Sequence, residues 1–197
     1  MGQTFSELRG RPPATTHAEI EQAAFALFAE HGFEATTVEM IAAELGIGRR
    51  TVSRYYPSKN DIPWGQFDLH LAGFRRLLDA QSVEPMWRAI HQAVMEFNRF
   101  PPDASPPHRE RMLLIRNTPA LVAHSALRYD AWRRVISEYV ADREGLDPDD
   151  LLPRTVAHLA LAVVLSAYDT WLDDPRRDLE ATIDEAMQRI RAFVSAS

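Results

Sequence analysis

The chain has no cysteine among its 197 residues. That excludes disulfide frameworks and thiolate-ligated zinc, and it fits a reducing compartment such as the cytoplasm. There is one lysine, Lys59, and there are eight glycines. None of those glycines forms a phosphate-cradling loop or a Gly-x-Ser-x-Gly elbow. The seven histidines are scattered, without His-x-x-x-His or Glu-x-x-His spacing, so no metal site and no cofactor is expected. Asp149-Asp150 and Asp173-Asp174 adjoin prolines and helix ends and read as solvated caps. No stretch alternates apolar and polar residues as a strand does, and there is no repeat or low-complexity tract. The first residues, MGQTFSELRGRPP, have no apolar core and do not read as a signal peptide. The longest apolar run, 156–168, is broken by His158 and reads as too short to span a bilayer, so no membrane partner is expected. What remains is helical periodicity, and the expected class is all-α.

The most informative stretch is TTVEMIAAELGIGRRTVSRYYPSK, residues 36–59. Val38, Ile41 and Ala42 make one apolar face of a helix over 37–44. Gly46 ends it where a left-handed backbone is cheap only for glycine, and Ile47 plugs the turn. A second helix runs from Gly48 to about Tyr56, with Val52 and Tyr56 facing inward and Arg49, Arg50, Ser53 and Arg54 outward. Helix, glycine turn and a second helix presenting cations describe a helix-turn-helix, whose second helix enters the DNA major groove. Arg49 and Arg50 are placed to grip guanine bidentately, worth about 1–3 kcal/mol of discrimination. Thr51, Arg54 and Tyr55 are expected to meet the backbone or thymine methyl groups, with Thr37 and Gly48 at the heads of the two helices in the same surface. Lys59 follows Ser58 at a helix start, a place for phosphate.

A net charge of −6 looks wrong for a DNA binder until it is mapped. Residues 1–60 hold Arg9, Arg11, Arg49, Arg50, Arg54 and Lys59 against seven glutamates. The acids sit mainly on the first helix and its neighbours, and local potential decides phosphate contact because salt screens charges beyond about 8–10 Å. The arm 1–14 contains Arg9-Gly10-Arg11-Pro12, the core of minor-groove-binding hook peptides. Narrow A·T-rich grooves attract such arginines.

The chain divides near Tyr56–Ser58, giving an arm (1–14), a DNA-binding domain (15–57) and a larger helical domain (58–197). The first helix is expected from His17 to His31 behind a Thr16/Glu19 capping box. A Ser58/Asp61 box opens the next domain, where Pro63 should kink that helix or delay its regular part. Further helices are expected at 64–80, 86–99, 107–117, 119–145, 151–173 and 178–195. The middle helices are rich in aromatics. As a set, Trp87, Phe97, Met112, Trp132 and Tyr168, interleaved with Arg116, His124 and Arg128, are candidates to line a site for an apolar molecule with a polar or anionic head.

The run from Phe25 to Lys59 resembles the DNA-binding domain of TetR/AcrR-type bacterial repressors. It has the first helix closing in F-x-x-x-G-F, then T-T-V-x-x-I-A, L-G-I and R-Y-Y-P-S-K. YYPSKNDIPWGQF and TPALVAHSALRYDAW are also similar to the branch found beside mycofactocin biosynthesis genes. Three positions depart from the pattern. Ser53 replaces a usual aromatic, Gly48 a usual capping serine, and Tyr56 a phenylalanine. The resemblance implies a homodimer on a palindromic double-stranded operator and a small-molecule effector that lowers DNA affinity, with the branch pointing to a long-chain acyl-CoA. It also implies that the last two helices pair with their mates in a four-helix interface, through Val156, Leu159, Val163, Trp171, Ile183, Met187 and Ile190. Two readings stay open beside the repressor: an activator of the same kind, and an all-α ligand-binding or adaptor protein without sequence-specific DNA binding.

Overall fold

The computed structural model describes residues 15–81 and 83–195, and among these the regular elements are all helical. The arm residues Arg9 and Arg11 lie outside the described residues. The chain separates into two compact units at Pro57/Ser58.

The first unit has three helices: α1 (His17–His31), α2 (Val38–Glu44) and α3 (Arg49–Tyr55). Local chemistry sets their ends. The Glu19 N–H donates to the Thr16 hydroxyl at 3.2 Å while the Thr16 N–H donates to the Glu19 carboxylate at 2.7 Å, a reciprocal box. The bonds from Thr16 hold the Glu19 carboxyl below its ordinary range. Thr37 caps α2 by accepting from Met40 N–H. At the other end of α2, Gly46 sits at φ +63°. Ile47 N–H bonds Ala42 C=O at 2.9 Å and Gly46 N–H bonds Ala43 C=O at 3.0 Å. That is a Schellman closure, and it turns the chain directly into α3. Ile20, Ala24, Ile41 and Val52 are fully or almost fully buried, with Phe28, Phe33 and Tyr56 around them.

The second unit opens with a 3-10 segment, Lys59–Trp64. Ser58 N–H and its hydroxyl both donate to the Asp61 carboxylate, at 2.9 and 2.8 Å. Pro63 has no N–H for an α-helical bond, so the tighter turn persists, Gly65 breaks it at φ +57°, and regular helix begins only at Phe67. Six helices follow: α4 (Phe67–Asp79), α5 (Met86–Phe97), α6 (His108–Asn117), α7 (Pro119–Glu144), α8 (Leu151–Asp173) and α9 (Leu179–Ser195). Helix α8 packs on α7 and α9, α4 on α5 and α7, α6 on α7, and α5 on α9. Phe74, Leu78, Ile90, Val94, Ile136, Val140, Ala160 and Ile183 are the heart of the core.

Two expectations need correction. Helix α8 is 23 residues long and an 18-residue window of it has mean hydropathy 1.5, enough by length and composition to cross a membrane, so the interrupted apolar run understated it. Its apolar residues Ala160, Leu161, Val164 and Ala167 belong to the core of this unit. The second correction concerns residues assigned to contact between copies. Ile183 and Met187 are 0 % exposed, and Val163 and Trp171 are also buried. Ile183 and Met187, fully enclosed by their own chain, have no surface to offer a second one. Val156, Leu159 and Ile190 keep partial exposure, alongside exposed Ala162 and Ser166 on α8 and Phe193 on α9.

Candidate nucleic-acid and effector sites

Helix α3 is the cationic element of the first unit. Val52 and Tyr56 hold it from inside, and the Tyr56 hydroxyl donates to Glu21 of α1 at 2.5 Å. The opposite face shows Arg49, Arg50, Ser53 and Arg54, all exposed, while Thr51 is half-buried. Arg49 reaches back to Glu39 in the first turn of α2, with N–O at 2.9 Å. Arg50 has no side-chain partner among the described residues, and the Arg54 guanidinium lies 5.6 Å from the centre of the Tyr55 ring. Gly48 is the N-cap and makes no side-chain cap bond. Thr37 caps α2 from an exposed position. Lys59 begins the 3-10 segment of the second unit.

Tyr55 is placed differently from expectation. Its hydroxyl donates to the Thr15 carbonyl and its ring stands edge-on to His17 at 4.8 Å. Half-buried and bonded within the unit, it fixes α3 against the entry to α1 rather than offering its hydroxyl outward. The Tyr56 ring meets the same His17 at 5.3 Å. Nothing local in the sequence signals these contacts, because they join residues about forty positions apart.

In the second unit the residues chosen as an effector set fall into separate places. Trp132 stacks on Phe74 with centroids 5.2 Å apart, and Phe97 packs against both. Met112 is half-buried against the core. Trp87 is half-buried too, with its indole N–H enclosed and unbonded among the described residues. Arg116 leaves the set: its guanidinium lies 3.2 Å from Asp173 and 3.6 Å from Asp169, on the surface.

Tyr168 belongs to a buried polar chain. Asn98 donates its amide N–H to Val94 C=O at 2.8 Å, so its oxygen accepts from the Tyr168 hydroxyl at 2.9 Å. That uses the only hydroxyl proton, so His108 Nε2, 2.8 Å from the same oxygen, must be the donor. Burial, aided by the Arg111 charge, pushes His108 down to about 3, and it is neutral. Burial raises the Tyr168 hydroxyl above its ordinary value. Phe100 stacks on the His108 ring at 3.6 Å. Sequence reading missed His108 and Asn98. The usable signal was His108 standing directly behind Pro106-Pro107 at a helix start.

His124 and Arg128 converge on one atom, Oδ1 of Asp61, at 2.9 and 2.5 Å. Burial pushes the Asp61 carboxyl up, but the bonds from Ser58 and the charges of Arg128 and His124 outweigh it and hold it below its ordinary range. Arg111 of α6 donates to the carbonyls of Ile62 and Pro63 at 3.3 and 2.8 Å. Thus α6 and α7 both grip the 3-10 segment. A polar cleft of 320 Å³ between α7 and α8, edged by Arg133, Arg134, Arg154 and His158, contains none of the chosen residues.

Comparison with known proteins places these two units. Residues 20–62 match the family described as bacterial regulatory proteins, tetR family, and residues 84–195 match the MftR C-terminal domain. The MftR protein of Mycobacterium tuberculosis, named for transcriptional regulation of mycofactocin biosynthesis, is 43 % identical over 184 residues, 93 % of each chain. The fold is similar to that of SmeT, the repressor of the Stenotrophomonas maltophilia efflux pump SmeDEF. The TM-score is 0.61 at 19 % identity, over 91 % of this chain and 90 % of that one. Thermus thermophilus FadR, solved with lauroyl-CoA, gives TM-score 0.54 at 18 % identity, over 88 % and 92 %.

Proposed function

The chain belongs to the TetR family of bacterial regulatory proteins, and from that premise we propose that it is a cytoplasmic, homodimeric repressor that an amphipathic effector releases from a palindromic operator. The observation that carries the reading is α3. A short helix anchored by Val52 and Tyr56 turns Arg49, Arg50 and Arg54 outward, with no carboxylate of its own. Such a rod fits a major groove and makes both phosphate and base-edge contacts.

Dimerisation rests on α8 and α9. Leu159, Ala162 and Ser166 form one helical stripe with little charge, and Ile190 and Phe193 leave apolar surface near the end of α9. A two-fold axis makes such a surface self-complementary. The effector reading draws on the aromatic interior and on two proteins of similar fold, one a repressor of an efflux pump and one solved with lauroyl-CoA. Helix α6 is the transmitter. Its N-terminal end carries both His108, joined to Tyr168, and one turn on Arg111, which holds the carbonyls of Ile62 and Pro63. Effector binding shifts the population toward dimers whose recognition helices no longer match half-sites about 34–36 Å apart.

Gel shifts with the DNA upstream of its own gene, with and without a long-chain acyl-CoA, test the reading. Retardation reversed by the acyl-CoA, with two footprinted half-sites, supports it. An adaptor protein gives no retardation, and an activator gives retardation with raised rather than lowered transcription. Sedimentation should show a dimer that Ala162→Arg dissociates.

A further inference from the structure

Arg128 of α7 is enclosed, with 17 % of its side chain exposed, yet its hydrogen bonding is incomplete. One terminal nitrogen donates to Asp61 Oδ1 at 2.5 Å and the other to Asp68 at 3.1 Å. Its Nε–H is buried and has no acceptor among the described residues. The indole N–H of Trp64 is in the same condition. Both groups flank one ring: the guanidinium carbon lies 5.3 Å and the Trp64 ring 5.6 Å from the centre of Phe67. Phe67 in turn leads to Phe97 at 6.2 Å, and so to Phe74 and Trp132. Two unanswered donors at the head of an apolar cluster are the chemistry that reads an oxygen acceptor carried on an apolar tail.

Asp61 is built so that it can give Arg128 up. Its Oδ2 accepts both bonds from Ser58, and its Oδ1 accepts from His124 as well as Arg128. Losing the guanidinium leaves the cap whole and the carboxylate still bonded. Asp68 is 86 % exposed and holds Arg128 only weakly. Arginine is also the side chain best shaped for bidentate exchange between oxyanions.

We propose that Arg128 reads the anionic head of the effector, a carboxylate or phosphate, and that Asp61 is the internal anion the effector displaces from it. The proposal rests on the reading of the second unit as an effector domain and adds the charge of the ligand and the residue that competes with it. Displacement removes the Arg128 bond between α7 and the 3-10 segment and leaves His124 as the remaining α7 bond to Asp61, which loosens a segment that begins two residues after the Pro57 boundary. Effector binding and loosening of that segment are then one event.

The test titrates the 197-residue chain with laurate, lauroyl-CoA and dodecanol, which share one tail, and follows binding by calorimetry. Wild type should bind at least one anionic probe about tenfold or more tighter than dodecanol, a typical coupling. Laurate against lauroyl-CoA tells carboxylate from phosphate. Arg128→Gln should erase the preference. Asp61→Asn keeps the capping oxygen but lowers the competition, so it should tighten the anionic probe several-fold and leave dodecanol unchanged. If Arg128 were only a strut, both variants would weaken all three probes alike, and that result overturns the proposal. Equal binding of all three by wild type also overturns it while leaving the effector domain standing. If none binds, the effector reading falls for this ligand class and takes the proposal with it. Should Arg128→Gln fail to fold, the sign of the Asp61→Asn effect decides.

Discussion

Glu39, in the first turn of α2, holds Arg49, the first residue of α3, at 2.9 Å across the turn. Both side chains are more than half exposed, so the pair is worth about 0–1 kcal/mol and opens readily. In free protein the acid competes with DNA for the same guanidinium. Glu39→Gln should therefore tighten duplex binding by up to about fivefold and steepen the log-salt slope by about one phosphate equivalent. Anisotropy titrations over a salt series measure both, and an unchanged slope means that Arg49 does not reach the duplex.

The turn between α2 and α3 should respond oppositely at its two glycines. An added Cβ meets nothing within 4 Å at either position. Gly46 is at φ +63°, so Gly46→Ala should lower stability by about 1–2 kcal/mol through backbone strain alone. Gly48 is an extended N-cap at φ −78° without a cap bond, so Gly48→Ser should raise it by a few tenths of a kcal/mol. Chemical denaturation of the two variants compares the signs. Equal destabilisation would contradict the closure described.

His108 gives the second unit a defined acid sensitivity. Its folded pKa of about 3 lies below the ordinary 6.5, so on acidification the unfolded chain takes up a proton that the native state refuses. Stability contributed by this group is whole above pH 6.5 and falls toward pH 3, at most about 1.4 kcal/mol per unit. His108→Gln retains a donor for Tyr168 without titrating. It should lose about 2 kcal/mol less than wild type between pH 6.5 and 4.5, read from denaturant midpoints. Parallel profiles would mean that His108 protonates without resistance.

Much of the fold was legible because it is written locally. Thr16/Glu19 and Ser58/Asp61 are three residues apart, and each pair fixes the start of a segment where the spacing says. Pro63 announced the delay of α4, and Gly46 the turn. The site was less legible because its contacts are distant in sequence. The periodicity of α9 identifies Ile183 and Met187 as one apolar face but not whether that face meets its own chain or another. Tyr55 reads as a groove contact until Thr15 is found on its hydroxyl. Arg116, His124 and Arg128 share chemistry and one or two faces of a helix pair, yet Asp169 and Asp173 take the first while Asp61 takes the others. Side-chain type announced a nitrogen donor each time, and only the fold chose its partner.

Recognition through the outward face of α3 is measured most directly by replacing Arg49 and Arg50 together with alanine. Binding to the upstream DNA is then compared with binding to a scrambled duplex at fixed salt. The ratio of the two affinities should collapse toward one while the helical fold and the dimer persist. A double variant that still preferred its own upstream sequence by the wild-type ratio would contradict recognition through that face.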